Sequence, residues 1–308
     1  MTAFQKISHK MFPIVVLGDN LPTINQAIVL CMTLIDRFKD NDEIRERTCE
    51  VLFCVLYVSF EVPYDHKKVS EKLLQLYQFS GQICYVQPFL AFIRVYEMGT
   101  GGRMWFFKHS FAIFEQACFF LSHEGTNHHP QLLRYIMELL HPILMIQYEK
   151  VLLNKTIGNL ISLASQGLLS SDEQTFFECQ FVIKELFQRS PSPIHGPSKH
   201  KNPIVVSLFN ANFRQIVQNC IENILRNGDP SYYYSSAEII CIMNNAEKHG
   251  INSSLTIDEE LVEKSLEHCR DKIGSHPSVF DDLWKIIEAS KDRNVNAMAS
   301  DLNRKLTS

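Results

Sequence analysis

Residues 23–56 read TINQAIVLCMTLIDRFKDNDEIRERTCEVLFCVL, and this stretch decides the fold class. Apolar residues fall at Ile24, Ala27, Ile28, Cys31, Leu34, Ile35 and Phe38, the spacing that lines one face of an α-helix. Pro22, with Thr23 and Gln26 spaced as a capping box, predicts where that helix starts. The run Lys39-Asp40-Asn41-Asp42 predicts a polar turn. Ile44, Thr48, Val51, Leu52, Val55 and Leu56 then resume the helical spacing until Pro63 stops it. Two antiparallel helices joined by a short turn make a hairpin, and one hairpin cannot bury its apolar faces alone.

The unit recurs outward from there. Val69, Leu73, Leu76 and Tyr77 predict one helix. Pro88, Phe89, Phe92, Ile93 and Tyr96 predict the next, which stops at Gly99-Thr100-Gly101-Gly102. Met104, Phe107, Phe111, Phe114, Cys118 and Leu121 line a third, and Phe106, Phe119 and Phe120 make it apolar on nearly every side, so it is expected to be the best-buried element. After a loop at His123 to His129, the helix with Leu133, Ile136, Met137 and Leu140 is expected to kink or split at Pro142. Ile157, Leu160, Ile161 and Ala164 follow, then a capping box at Ser171 and Gln174 leading into Phe176, Cys179, Ile183, Leu186 and Phe187. Residues 189–203 hold four prolines and a glycine and almost nothing apolar, the composition of a loop or linker. Helical spacing returns at Phe209, Phe213, Ile216, Val217, Cys220 and Ile224, then at Ile239, Met243 and Ala246. A third capping box, Thr256 and Glu259, opens Val262, Leu266, Cys269 and Ile273, and Phe280, Leu283, Trp284 and Ile287 precede a weaker amphipathic tail to Leu306.

The proposed pairs begin near residues 23, 65, 103, 151, 204 and 256, steps of roughly 40 to 50 residues, and no strand-like alternation competes. In this spacing and helical texture the chain resembles armadillo/HEAT-like helical-repeat proteins across most of its length. That resemblance implies an all-α fold, an irregular α-solenoid of stacked antiparallel helical hairpins with a long binding surface. The expected organisation is an N-terminal helical-repeat block at 1–188, a Pro/Ser-rich flexible loop or linker at 189–203, and a C-terminal block at 204–308 continuous with the first.

Composition narrows the function classes. A net charge of −4 gives no long-range attraction to polyanions, which argues against nucleic acid. No apolar run approaches the ~18 residues of a membrane span, and Met11 to Leu17, broken by Pro13, is too short for a signal core. Nine cysteines, an odd number without a C-x-x-C pair, read as reduced core thiols of a cytoplasmic or nuclear protein. The sequons at Asn154 and Asn252 carry no meaning in a chain that is not secreted.

Candidate chemistry is sparse. His123-Glu124 followed by His128 and His129 is the densest metal-capable cluster, but its H-E-x-x-x-H-H spacing, interrupted by Gly125, lacks the two histidines on successive helical turns that zinc needs, so a solvated loop is expected. Cys49, Cys54 and Cys118 lie in apolar company, which raises rather than lowers a thiol pKa. Gly99 to Gly102 follows no strand and precedes no Gly-Lys-Ser/Thr, so it reads as a turn and not a phosphate cradle. Lys67, Lys68 and Lys72 read as a solvated face. No catalytic, cofactor or metal residue is assigned, and no cofactor is expected. Tyr232, Tyr233 and Tyr234 open a helix, so at least one ring must face away from the core, and these are the candidate partner-binding residues. Ser190 and Ser192, each before proline, are candidate phosphorylation sites. The expected function is a non-enzymatic protein-protein interaction scaffold or adaptor binding a peptide or helix of a partner. The alternatives are an enzyme with a dispersed, metal-dependent site near His123 to His129, and a helical subunit stable only in an obligate complex.

Overall fold

The computed structural model describes residues 21–58, 65–97, 103–188, 202–226, 229–251, 253–273, 278–290 and 295–307. Among the described residues every regular element is a helix, so the fold is all-α, and no helix is long and apolar enough to cross a membrane. Contacts divide the chain into two compact units, Met1–His109 and Ser110–Ser308.

The first unit holds α1 (Leu21–Arg37), α2 (Asp42–Val58), α3 (His66–Ser80), α4 (Phe92–Glu97) and the start of α5 (Arg103–Glu124). The α1–α2 hairpin stands where the spacing places it, but α1 is already helical at Leu21, so Thr23 lies inside the helix and the expected capping box is not formed. Asn41 Oδ1 accepts from Ile44 N at 3.1 Å and starts α2. Asp65 accepts from Lys68 N at 3.1 Å and starts α3, which Gly81 closes at φ 70°, a conformation glycine adopts without steric cost. The partner expected after α3 is not one helix. Two 3-10 turns, Ile83–Tyr85 and Gln87–Ala91 with Pro88 in its first turn, lead into the six-residue α4. Ile28, Ile35, Cys49, Leu52, Leu73, Phe89 and Phe92 are fully buried, each contributing about 1.5–3 kcal/mol if large and aliphatic or aromatic.

The second unit continues through α6 (Pro130–Leu152), α7 (Ile157–Gly167), α8 (Glu173–Gln188), α9 (Pro203–Arg226), α10 (Pro230–Asn244), α11 (Glu259–His268), α12 (Arg270–Ile273), α13 (Val279–Ala289) and α14 (Asn296–Thr307). Next-but-one helices pack together: α6 on α8, α8 on α10, α7 on α9 and α9 on α11. Side chains cross these contacts between residues 38 to 55 positions apart. Tyr148 Oη donates to Leu186 O at 2.9 Å, 38 residues on, and Arg134 reaches Gln174, 40 residues on. Asn219 Nδ2 donates to Ser165 O at 2.6 Å across 54 residues, and Asn223 to Leu168 O across 55. Arg214 meets Asp258 at 3.4 Å, 44 residues on. Within each pair of helices both partners advance together along the chain, so these helices run parallel and in register. The longer step is the one that encloses residues 189–203, and α7, α8, α9 and α10 pack across it. At Gly167 the helices pack closely, since a Cβ there would run into Cys179 Sγ and lie 2.8 Å from Leu133 Cδ2.

Several local expectations are corrected. Asp172, not Ser171, starts α8, accepting from Thr175 N at 2.8 Å, and Gln174 turns instead to Arg134. Asp258, not Thr256, starts α11, accepting from Leu261 N at 2.9 Å. In both cases an adjacent carboxylate is the stronger acceptor at the positive end of a helix. Helix α6 keeps helical dihedrals at Pro142 and breaks five residues later at Gln147, with φ −128° and ψ 41°. Nor is α5 enclosed by neighbours: Phe106 and Phe114 are buried, but Met104 and Phe119 are each 69% exposed.

Candidate functional site

The seam between α6 and α8 brings several titratable groups of the second unit together. Helical spacing places Arg134, Glu138 and His141 along α6, and Gln174, Glu178, Phe181 and Glu185 along α8. Because the two helices run parallel in register, Arg134 pairs with Gln174, Glu138 comes beside Glu178, and His141 lies flat on Phe181, ring centroids 5.6 Å apart and planes 8° from parallel. The two glutamates are half-buried. Burial lifts the Glu138 carboxyl to about 7 and the Glu178 carboxyl to about 8, with the charge of Glu138 adding to the second. Arg134 draws both down and is outweighed, and its Nε is itself buried without a hydrogen-bond partner. Burial also holds His141 below the ordinary imidazole value, against the pull of Glu185. Near neutral pH the seam therefore carries protons on carboxyls while its imidazole is bare. Such a pair can receive a cationic group from outside or exchange a proton close to pH 7.

The residues singled out from the sequence go elsewhere. Tyr232 is 6% exposed and stacks on Phe176 at 4.4 Å, its hydroxyl donating to Ser171 O at 3.5 Å. Tyr233 is 5% exposed and its hydroxyl stands 3.4 Å from Ser300 Oγ. Only Tyr234 shows its ring to solvent, at 37%. Ser190 and Ser192 lie outside the described residues, as do Gly99 to Gly102. His123 bonds Phe119 O through Nδ1 at 2.8 Å and leans on the Phe119 ring, whereas His129 leans on Phe120. The two phenylalanines diverge around α5, so the histidines are not gathered, and among the described residues no group of His, Cys, Asp and Glu is placed to hold a metal ion. Lys67, Lys68 and Lys72 are each ion-paired, to Glu71, Asp65 and Asp36. All nine cysteines are free thiols.

Arg134, Glu138 and Glu178 were not among the expected site residues. Their signal was a carboxylate set inside an apolar run, Ile136-Met137-Glu138-Leu139-Leu140 and Phe176-Phe177-Glu178-Cys179. Set against protein-family models and curated proteins, the chain matches no family and no curated sequence.

Proposed function

We propose that the chain is a non-enzymatic interaction scaffold, an irregular armadillo/HEAT-like α-solenoid that holds a basic peptide segment or helix of another protein along the α6–α8 seam. The solenoid reading is supported by the parallel, in-register contacts between next-but-one helices at steps of 38–44 residues outside the longer step. The observation that carries the binding reading is the Glu138–Glu178 pair. Two carboxyls face one guanidinium and burial keeps protons on them near neutral pH, so a lysine or arginine arriving from a partner returns them to the charged form and pairs with them. The flat His141–Phe181 stack beside the pair offers a surface on which a guanidinium lies well. The nine free thiols favour the cytoplasm or nucleus.

Calorimetric titration with short arginine-containing peptides tests this. Binding near pH 7.5 should release protons, read from the dependence of the heat on buffer, because the arriving cation returns the carboxyls to their charged form. The Glu138→Gln/Glu178→Gln variant should bind at least about tenfold more weakly with unchanged helicity. Equal affinity for that variant, or binding without proton release, would overturn the proposal. The exposure of Met104 and Phe119, at 69% each, favours a second reading, a subunit of an obligate complex. A monomer that melts cooperatively above physiological temperature would remove it.

A further inference from the structure

The first unit brings two thiols and a guanidinium together at the contact between α2 and the 3-10 turn Ile83–Tyr85. Cys49, on α2, is fully buried, and Cys84, on the turn, is half-buried. The Cys49 thiol lies within hydrogen-bonding reach of Cys84 Sγ. Arg45, one turn before Cys49, is 4% exposed and donates to Lys39 O at 2.9 Å and to Gln82 Oε1 at 3.0 Å, pairs with Asp42 at 2.8 Å, and stands over the Tyr85 ring at 6.0 Å. The same guanidinium neighbours Cys84 Sγ, and its Nε is buried without a partner in the thiol form.

This surrounding separates the two thiols. The Cys49 contact, then Arg45, draws Cys84 down toward the thiolate against burial and against Glu46, while the same contact and full burial push Cys49 up. Cys31, buried on α1, adds to the upward push on Cys49, and Tyr85, itself raised by burial, stays neutral. Cys54 and Cys241, the other half-buried cysteines, are raised by burial.

We propose that Cys84 and Cys49 form a peroxide-reactive pair that closes to an intramolecular disulfide, with Cys84 as the attacking sulfur. The Cys84 thiolate attacks one oxygen of a hydroperoxide, the O–O bond breaks, the sulfur is oxidised to a sulfenic acid, and the leaving oxygen takes up the proton that Cys84 had lost. The Cys49 thiol then attacks the Cys84 sulfur, the S–O bond breaks, and the hydroxide leaves as water with the Cys49 proton. With hydrogen peroxide the sum is two thiols and one peroxide giving one disulfide and two waters. Only Cys84 has to meet the oxidant, so the full burial of Cys49 is no obstacle. Arg45 acts as a positioning residue, holding the charge of Cys84 before the attack.

The test treats the full reduced chain with equimolar hydrogen peroxide and maps the products by mass spectrometry without reduction. The expected result is a Cys49–Cys84 cross-linked peptide lighter by two hydrogens. A 1,3-dione probe should trap sulfenic acid at Cys84 in the Cys49→Ser variant, and Arg45→Lys should slow the modification of Cys84 and move its pH profile upward. Since Cys49→Ser replaces a core residue, a second measurement uses the unaltered chain: iodoacetamide at pH 7 should alkylate Cys84 at least about tenfold faster than Cys54. Equal rates at Cys84 and Cys54, or oxidation without the Cys49–Cys84 peptide, would overturn the proposal.

Discussion

The α6–α8 seam and the Arg45 corner each press two titratable groups against one arginine at a helical contact, yet they answer in opposite directions. At the seam both carboxyls rise, to about 7 and about 8, because Arg134 faces two acids and is outweighed by burial. At the corner Cys84 falls, because Arg45 and the Cys49 thiol both attend to one sulfur while the second thiol stays neutral. Burial raises the acids in both places, and the sign turns on whether the donors facing each developing charge outweigh it.

Removing the corner's arginine should break the comparison most severely. Arg45→Met strips Lys39 O, Gln82 and Asp42 of their partner and should cost about 2–4 kcal/mol, read as a lowered denaturation midpoint. A variant that melts like the parent would show that Arg45 does not hold the corner. Next in size, Gly167→Ala drives a methyl against Cys179 on α8 and Leu133 on α6 and should cost about 1–3 kcal/mol. If the seam depends on close approach, that variant should also bring Glu178 back toward the ordinary carboxylate range.

The pH dependence of stability follows from the seam. Glu138 and Glu178 have folded values above their unfolded ones, so their contribution is complete below about pH 4.5 and is lost as pH rises through about 7 to 8. Stability in urea should decline by about 3–4 kcal/mol between pH 6 and pH 9, and Glu178→Gln should flatten most of that slope. A slope unchanged in the variant would place the titration elsewhere. The smallest effect belongs to Glu185→Gln, which removes the group that pulls His141 upward. Its imidazole midpoint, followed by NMR, should move further below the ordinary imidazole value.

The sequence makes the helices legible and the site almost illegible, for one reason. Helical spacing is a local property, so the α1–α2 hairpin, the aromatic helix α5 and the tail α14 stand near their expected places. Local competition explains the cap errors, where Asp172 and Asp258 displaced Ser171 and Thr256. The Tyr232 to Tyr234 run was legible as a pattern, with one ring outward, but not in which ring. Glu138 beside Glu178, and Cys49 beside Cys84, depend on register between segments some 40 residues apart, and spacing within one segment carries no information about that register.

Asn219 finds Ser165 across 54 residues, whereas the comparable crossings before and after it span 38 to 44. The same kind of handshake is made in each case, because helix register and not chain length selects the partner. Loop-closure entropy grows only slowly with length, so the longer connection between α8 and α9 costs the register little.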